Sequence, residues 1–585
     1  MQVFKGLPVS PGIVIGRVVL VDDDIRHVSR RMVPPELVRA EVVRFEQVIR
    51  AAIDELNEIY AKAQKEMGAE TAKIFQFHAG MLKDKSLIGP IRVMIETERV
   101  SAEFAVSRAF STLADKFRAN PNSIFSTKVN DIEDLAHRLL DLLTGAGANR
   151  LLNAPPGSVV VARDLTPSQT AGFDRARILG FATDLGGRTS HTAIVAKALE
   201  IPAVVGCQTL LRVARDGTPI VLDGDQGAVV LNPDAATLDE YRRMIEQRRV
   251  FRLSLTEVSG LPSVTTDGTA IHILGNIEFP DEVKSVLQAG GEGVGLYRTE
   301  FLYLTRSVEP TENDHYEAYA RCVKLAKGAE LTIRTVDLGA DKYTQSRTEI
   351  PERNPFLGCR SIRYCLRDLP MFKRQLRALL RASALGPMKI MFPLITNLSE
   401  FRHAKYLVND VMEELDEERI PFDRSLKLGM MVEVPSAAIL ADLFAREVDF
   451  FSIGTNDLVQ YTLAVDRTNE RIANLYSFTH PAVIKLIRDV ARAARRRDIP
   501  VSCCGESAAD LEFSLLLVGL GLRTLSVTSS SIPQLKRMMR SVSVVQCERL
   551  ARAALSLDSD VQITAMLRDR ARALVPEAFE GRGSD

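Results

Sequence analysis

Apolar residues recur at Val38, Val42, Phe45, Ile49, Ala52, Ile53, Leu56 and Ile59, a spacing of three and four that lays one stripe along a helix. Pro34 and Pro35 stand at its start, where a missing N–H costs nothing. Further helical patterns cover about 70–98, 101–118 and 129–143, and the short connections between them predict an antiparallel bundle. Before this stretch, GLPVSPGIVIGRVVL reads as a loop punctuated by Gly and Pro that leads into a strand. After it, from Gly157 to Val230, the runs SVVVA, ARILGFAT, PAVVG, PIVLDG and GAVVLN read as short strands between glycine turns. We therefore assign 1–30 together with 146–232 to one α/β domain, with residues 31–145 inserted into it as a helical subdomain. Asp234 caps a charged helix that runs to about Arg249, and 233–260 is read as a linker.

Beyond Leu261 the rhythm changes. Apolar strand patterns fall at about 271–275, 293–297, 331–336, 389–394, 428–434, 450–454, 500–504 and 523–527, with helical segments between most of them. Eight strands alternating with helices predict a (β/α)8 TIM barrel over 261–575, followed by a tail, 576–585. The fold class is thus multidomain α/β.

Composition narrows the partners. The chain has 585 residues, enough for several cored domains, and 46% are apolar and 26% charged. Lys plus Arg (75) equals Asp plus Glu (75), so no net field favours nucleic acid or an anionic membrane as the main partner. Residues 1–10 show no signal-peptide pattern, and no apolar run approaches a membrane span. The seven cysteines follow no metal spacing, which predicts a reducing, cytoplasmic setting.

The strongest chemical signal is Gly186-Gly187-Arg188-Thr189-Ser190-His191-Thr192-Ala193, directly before a helical run, Ala193–Leu199. A histidine at a helix N-terminus sits among free N–H groups that can hold the oxygens of a phosphate on its ring. The dipole there also favours the neutral, nucleophilic imidazole. A lone histidine is more often structural, and this context reverses that balance.

The run GGRTSHTAIVAKALEIPAVVG resembles the phosphohistidine motif of the phosphoenolpyruvate-using enzymes. The segments GVGLYRTEFL, NPFLGCRSIR and FSIGTNDLVQYTLAVDR further resemble the enzyme I family of the sugar phosphotransferase system. The resemblance covers nearly the whole chain. It implies that His191 takes phosphate from phosphoenolpyruvate, releases pyruvate and hands the phosphate to a histidine of the carrier HPr. It implies a swivelling phosphohistidine domain with Thr170, Arg188 and Lys197 near the ring, Lys197 standing where the family has arginine. IFQFHAGMLKD at 74–84 resembles the carrier-docking hairpin, with Phe75, His78 and Leu82 as docking residues. Lys83 and Lys85 replace family acidic residues beside it. A barrel-mediated homodimer is also implied.

The barrel adds separate chemistry. Arg298, Arg334, Arg360, Glu433, Asn456, Asp457, Arg467 and Cys504 fall just past predicted strand ends, where barrel enzymes build their sites. Arginine forks suit a small molecule carrying both phosphate and carboxylate. Arg298, Arg334, Arg360, Asn456, Asp457 and Arg467 are the expected substrate-binding residues. Glu433 and Asp457 are hard oxygen ligands suited to Mg2+. Cys504 is the expected proton donor to the enolate left after transfer, whereas Cys503 points to the core. Two rivals stay open: an ATP-charged, dikinase-like enzyme and a non-catalytic regulatory paralogue.

Overall fold

The computed structural model describes residues 1–21, 30–66, 78–118, 129–144, 154–165, 173–174, 176–186, 196, 201–304, 309–339, 354–467, 469, 472 and 475–579. The chain divides into two compact units, Met1–Gln247 and Arg248–Glu580, and the division falls inside the helix Ala235–Ser259.

In the first unit eight strands form one sheet. They are β1 (Gln2–Lys5), β2 (Leu7–Ser10), β3 (Ile13–Val21), β4 (Ser158–Ala162), β5 (Ile178–Thr183), β6 (Ala203–Val205), β7 (Pro219–Asp223) and β8 (Ala228–Leu231). Their order is β1-β8-β7-β3-β4-β5-β6-β2. β3 pairs in parallel with β4, so the chain on either side of the helical segment belongs to one sheet. The N-terminal run, read from sequence as a loop and one strand, is three strands. β1 and β2 are four residues each, too short for periodicity to declare, and both are held by distant partners, β8 and β6.

The inserted helices are Val38–Glu66, Lys85–Glu98, Ala102–Arg118 and Val129–Thr144. Val42, Phe45, Ile49, Ala52 and Leu56 of the first helix are buried in a shared core with Ile91, Ile95, Val106, Phe110, Leu135 and Leu139. These are the stripe positions, removed from water as the helical period requires. The helix Ala235–Ser259 begins where Asp234 Oδ1 accepts from the Thr237 N–H at 2.9 Å, and it outlasts the sequence reading by about two to three turns.

The second unit is a closed barrel of eight parallel strands: β9 (His272–Ile277), β10 (Gly293–Arg298), β11 (Glu330–Arg334), β12 (Met388–Phe392), β13 (Lys427–Val432), β14 (Phe450–Gly454), β15 (Val501–Cys504) and β16 (Thr524–Val527). All eight fall within three residues of their expected places. Ridges of apolar helix pack outside the strands, as with Phe372, Leu376 and Leu379 of Leu369–Ser383. Inside the barrel, Leu296, Met391, Met431, Phe450 and Cys504 form their own buried cluster, so the barrel is a packed core and not a pore. The C-terminal helices Val544–Ser556 and Asp560–Leu574 pack against the same outer core.

Candidate active site

The register of the barrel decides what can meet. Arg298 and Arg334 are the last residues of β10 and β11 and are Cα partners, so both stand at one level of the C-terminal rim. Glu433 follows β13 directly, and Cys504 ends β15 opposite Gly454 of β14. Asn456 and Asp457 lie in the first turn of the helix Thr455–Leu463, where a carboxylate is favoured by the unpaired N–H groups.

A chain of ion pairs connects most of these residues. Arg334 is buried, with Nη2 donating to Glu300 at 2.5 Å and Nη1 lying 3.2 Å from Asp337. Asp337 also accepts from Arg360 Nη2 at 2.9 and 3.1 Å. Arg360 reaches Asp457 at 3.6 Å and donates to the Tyr461 hydroxyl at 3.2 Å. Buried charges persist only when paired in this way. Burial would raise the Asp337 carboxyl, but Arg334 and Arg360 outweigh it and hold the group at about 2. Ser361 beside Arg360 has φ +58° and ψ −131°, a strained backbone for a non-glycine residue, of the kind that gathers where function fixes geometry.

Glu433 is in the opposite condition. Its Oε1 accepts from the Leu394 N–H at 2.6 Å, presented by a left-handed residue with φ +52°. Burial first, then Asp457 and Asp337, push its carboxyl up to about 8, against the pull of Arg334 and Arg360. Two buried carboxylates that repel one another fit a divalent cation, which would favour the ionised form of both. Among the described residues no group of three or more His, Cys, Asp or Glu side chains could hold a metal, so a cation bound between Glu433 and Asp457 would need further oxygens from substrate or water.

Cys504 is 2% exposed. Its thiol receives the Ser452 hydroxyl at 3.5 Å and donates to the Ile453 carbonyl at 3.6 Å. Burial raises its pKa, with Arg334 and Arg298 pulling against Glu433, so the thiol keeps its proton at neutral pH. Cys503 belongs to the core between strands and helices.

The rest of the expected set stands nearer the surface. Arg298 is half-buried and donates to Glu278 at 3.0 Å. Asn456 Oδ1 accepts from the Glu506 N–H at 3.2 Å, and Arg467 is exposed, 3.9 Å from Glu506. His191, Thr170, Arg188, Lys197 and Phe75 lie outside the described residues. His78 and Leu82 are enclosed by the bundle, so a docking role for them rests on the segment's resemblance and not on exposure.

Sequence reasoning passed over Glu300, Asp337 and Glu278. The signal was present: two buried arginines require counter-charges, and Glu300 and Asp337 sit in the same motifs, GLYRTEF and IRTVDLGADK, as the arginines they hold.

Three family descriptions match in chain order: "PEP-utilising enzyme, N-terminal" over 5–127, "PEP-utilising enzyme, mobile domain" over 154–227 and "PEP-utilising enzyme, PEP-binding domain" over 254–544. The chain is 39% identical to a phosphoenolpyruvate-protein phosphotransferase of Bacillus subtilis (strain 168), covering 97% of this chain and 100% of that one. It is 39% identical to the protein so named in Geobacillus stearothermophilus and 37% to that of Staphylococcus carnosus (strain TM300), each over 97% of this chain and 98% of the relative. With three domains in the same order and relatives matched end to end, the chain belongs to the phosphoenolpyruvate-protein phosphotransferases, the enzyme I family, and is a transferase that moves a phosphoryl group from phosphoenolpyruvate to protein.

Proposed function

We propose that the barrel rim receives phosphoenolpyruvate and that His191 accepts its phosphoryl group. The observation that carries this is the convergence of Arg298, Arg334 and Arg360 on one rim with Glu433, Asp457 and Cys504. Arg298 and Arg334 hold the phosphate and carboxylate by bidentate pairing, and Asn456 and Arg467 close the site from the solvent side. Glu433 and Asp457 hold Mg2+, which when bound offsets negative charge on the phosphate oxygens. The phosphorus–oxygen bond of the substrate breaks and a phosphorus–nitrogen bond forms on the neutral His191 ring. The enolate left behind gains the Cys504 proton at carbon and leaves as pyruvate. Thr170, Arg188 and Lys197 steady the phosphorylated ring.

The phosphoryl group then passes to a histidine of HPr, docked on the inserted helical subdomain beside the segment 74–84, whose His78 and Leu82 are buried and support the surface without touching the carrier. The working enzyme is a cytoplasmic homodimer. No helix among the described residues is long and apolar enough to cross a membrane.

The test is incubation with labelled phosphoenolpyruvate, Mg2+ and HPr. Label reaches the enzyme and then the carrier. Chelation abolishes the first step but spares exchange between His191 and phosphorylated HPr, because the ligands Glu433 and Asp457 take no part in it. Equal loss of both steps would overturn that division of labour.

A further inference from the structure

Gln375 lies on the helix Leu369–Ser383, among Met371, Phe372, Leu376 and Leu379, and none of it is exposed. An amide in such surroundings costs stability unless its hydrogen bonds are made. Here they are. Oε1 accepts from the Val336 N–H at 3.1 Å, while Nε2 donates to Thr299 Oγ1 at 3.2 Å and to the Tyr319 hydroxyl at 3.0 Å. The Val336 N–H can only donate, which fixes the way the amide faces.

The partners explain the position. Thr299 stands between Arg298 and Glu300, and its hydroxyl also donates to the Arg334 carbonyl at 2.9 Å. Val336 directly precedes Asp337, whose N–H donates to Glu300 at 3.0 Å. One side chain from the outer ring of helices therefore ties together the two turns that leave β10 and β11. Those turns carry Glu300 and Asp337 and follow directly on Arg298 and Arg334, the last residues of the two strands. On the far side the Tyr319 hydroxyl bonds His315 Nδ1 at 2.9 Å, anchoring the amide to the helix Glu312–Ala326.

We propose that Gln375 is a positioning residue for phosphoryl transfer, setting the distance and aim of Arg298 and Arg334 through Thr299 and Val336. This rests on the reading that those two arginines receive phosphoenolpyruvate. An apolar residue of similar size would fill the space but take from Val336 its N–H partner and from Thr299 and Tyr319 one hydrogen bond each, and the two turns would be free to drift apart. Misplacement of binding groups by about 1 Å costs on the order of 100-fold in rate.

Three variants of the full-length enzyme test this. Gln375→Leu is expected to lower kcat/KM for phosphoenolpyruvate about 100-fold at an unfolding midpoint that keeps the barrel folded at the assay temperature. Gln375→Glu separates positioning from folding. Protonated, its carboxyl still accepts from Val336 and donates to Thr299, so activity is rescued at low pH. As pH rises through the raised pKa of that buried carboxyl, the donor is lost and kcat/KM falls, a limb that the native enzyme lacks. This limb decides the matter if the leucine variant fails to fold. Arg334→Met tests the underlying reading. Should it lose phosphoenolpyruvate turnover while both Gln375 variants keep native kcat/KM and a native pH profile, the inference falls and the site stands. Native turnover by Arg334→Met would overturn the site itself and the inference with it.

Discussion

Cys503 and Cys504 are neighbours in sequence with opposite surroundings. Strand alternation sends Cys503 outward into the helix-packed core and Cys504 inward among Leu296, Met391, Met431 and Phe450, at the rim beside Arg334 and Glu433. Cys504→Ala should bind phosphoenolpyruvate and accept phosphate from phosphorylated HPr but form no pyruvate; Cys503→Ala should lose only about 1 kcal/mol of packing. Substrate binding and pyruvate release measured on both variants decide it, and normal pyruvate release by Cys504→Ala would remove the thiol from the mechanism. Asp337 offers a second check. Its folded pKa, about 2, lies below the ordinary carboxylate value, so its contribution to stability is full above that ordinary value and is lost as pH falls towards about 2. Following barrel unfolding from about pH 5 to about pH 2.5, Asp337→Asn should be less stable at the upper end and converge on the native enzyme at the lower. Parallel curves would show that the Arg334 and Arg360 pairings add nothing. At this scale the arginines, the paired carboxylates and the thiol were legible because strand ends concentrate barrel chemistry. Their counter-charges Glu300 and Asp337 were not singled out, since a carboxylate in sequence is usually a solvated charge and only burial makes it obligatory.

Among the elements, the barrel strands were easy to read because each is a short apolar run between helical segments, and their level at the rim follows from a parallel register. The turn after β15 shows what pattern alone does not convey. Gly505 has φ +111°, and a Cβ there would lie 2.6 Å from Thr455 Oγ1 and 3.0 Å from Asn456 Oδ1. The glycine lets Glu506 bring its N–H to Asn456. Gly505→Ala should therefore cost about 1–3 kcal/mol of barrel stability and raise the KM for phosphoenolpyruvate by displacing Asn456. Denaturant unfolding with steady-state kinetics measures both, and an unchanged KM would place Asn456 outside substrate binding. The short strands β1 and β2 escaped the sequence reading for the converse reason: four residues carry no usable period, and their partners lie some 200 residues away.

For the whole molecule, the two halves of the proposed chemistry belong to different parts of the chain. His191 falls within Met1–Gln247, whereas every barrel residue discussed above falls within Arg248–Glu580. Periodicity alone could separate bundle, sheet and barrel, because each repeats its own spacing. The assignment of 1–30 with 146–232 to one domain rests on the strand runs on either side of the insertion, and in the structure β3 and β4, one from each side, pair in parallel. Function was legible through the wording of GGRTSHT and the barrel motifs, not through composition. The central claim is that His191 carries the phosphoryl group between phosphoenolpyruvate and the carrier. The most direct measurement is labelling of the full-length enzyme with phosphoenolpyruvate and Mg2+, followed by acid and base treatment. The account predicts a phosphate that is labile to acid, stable to base, located on His191 and absent from His191→Ala; undiminished labelling of His191→Ala would contradict it.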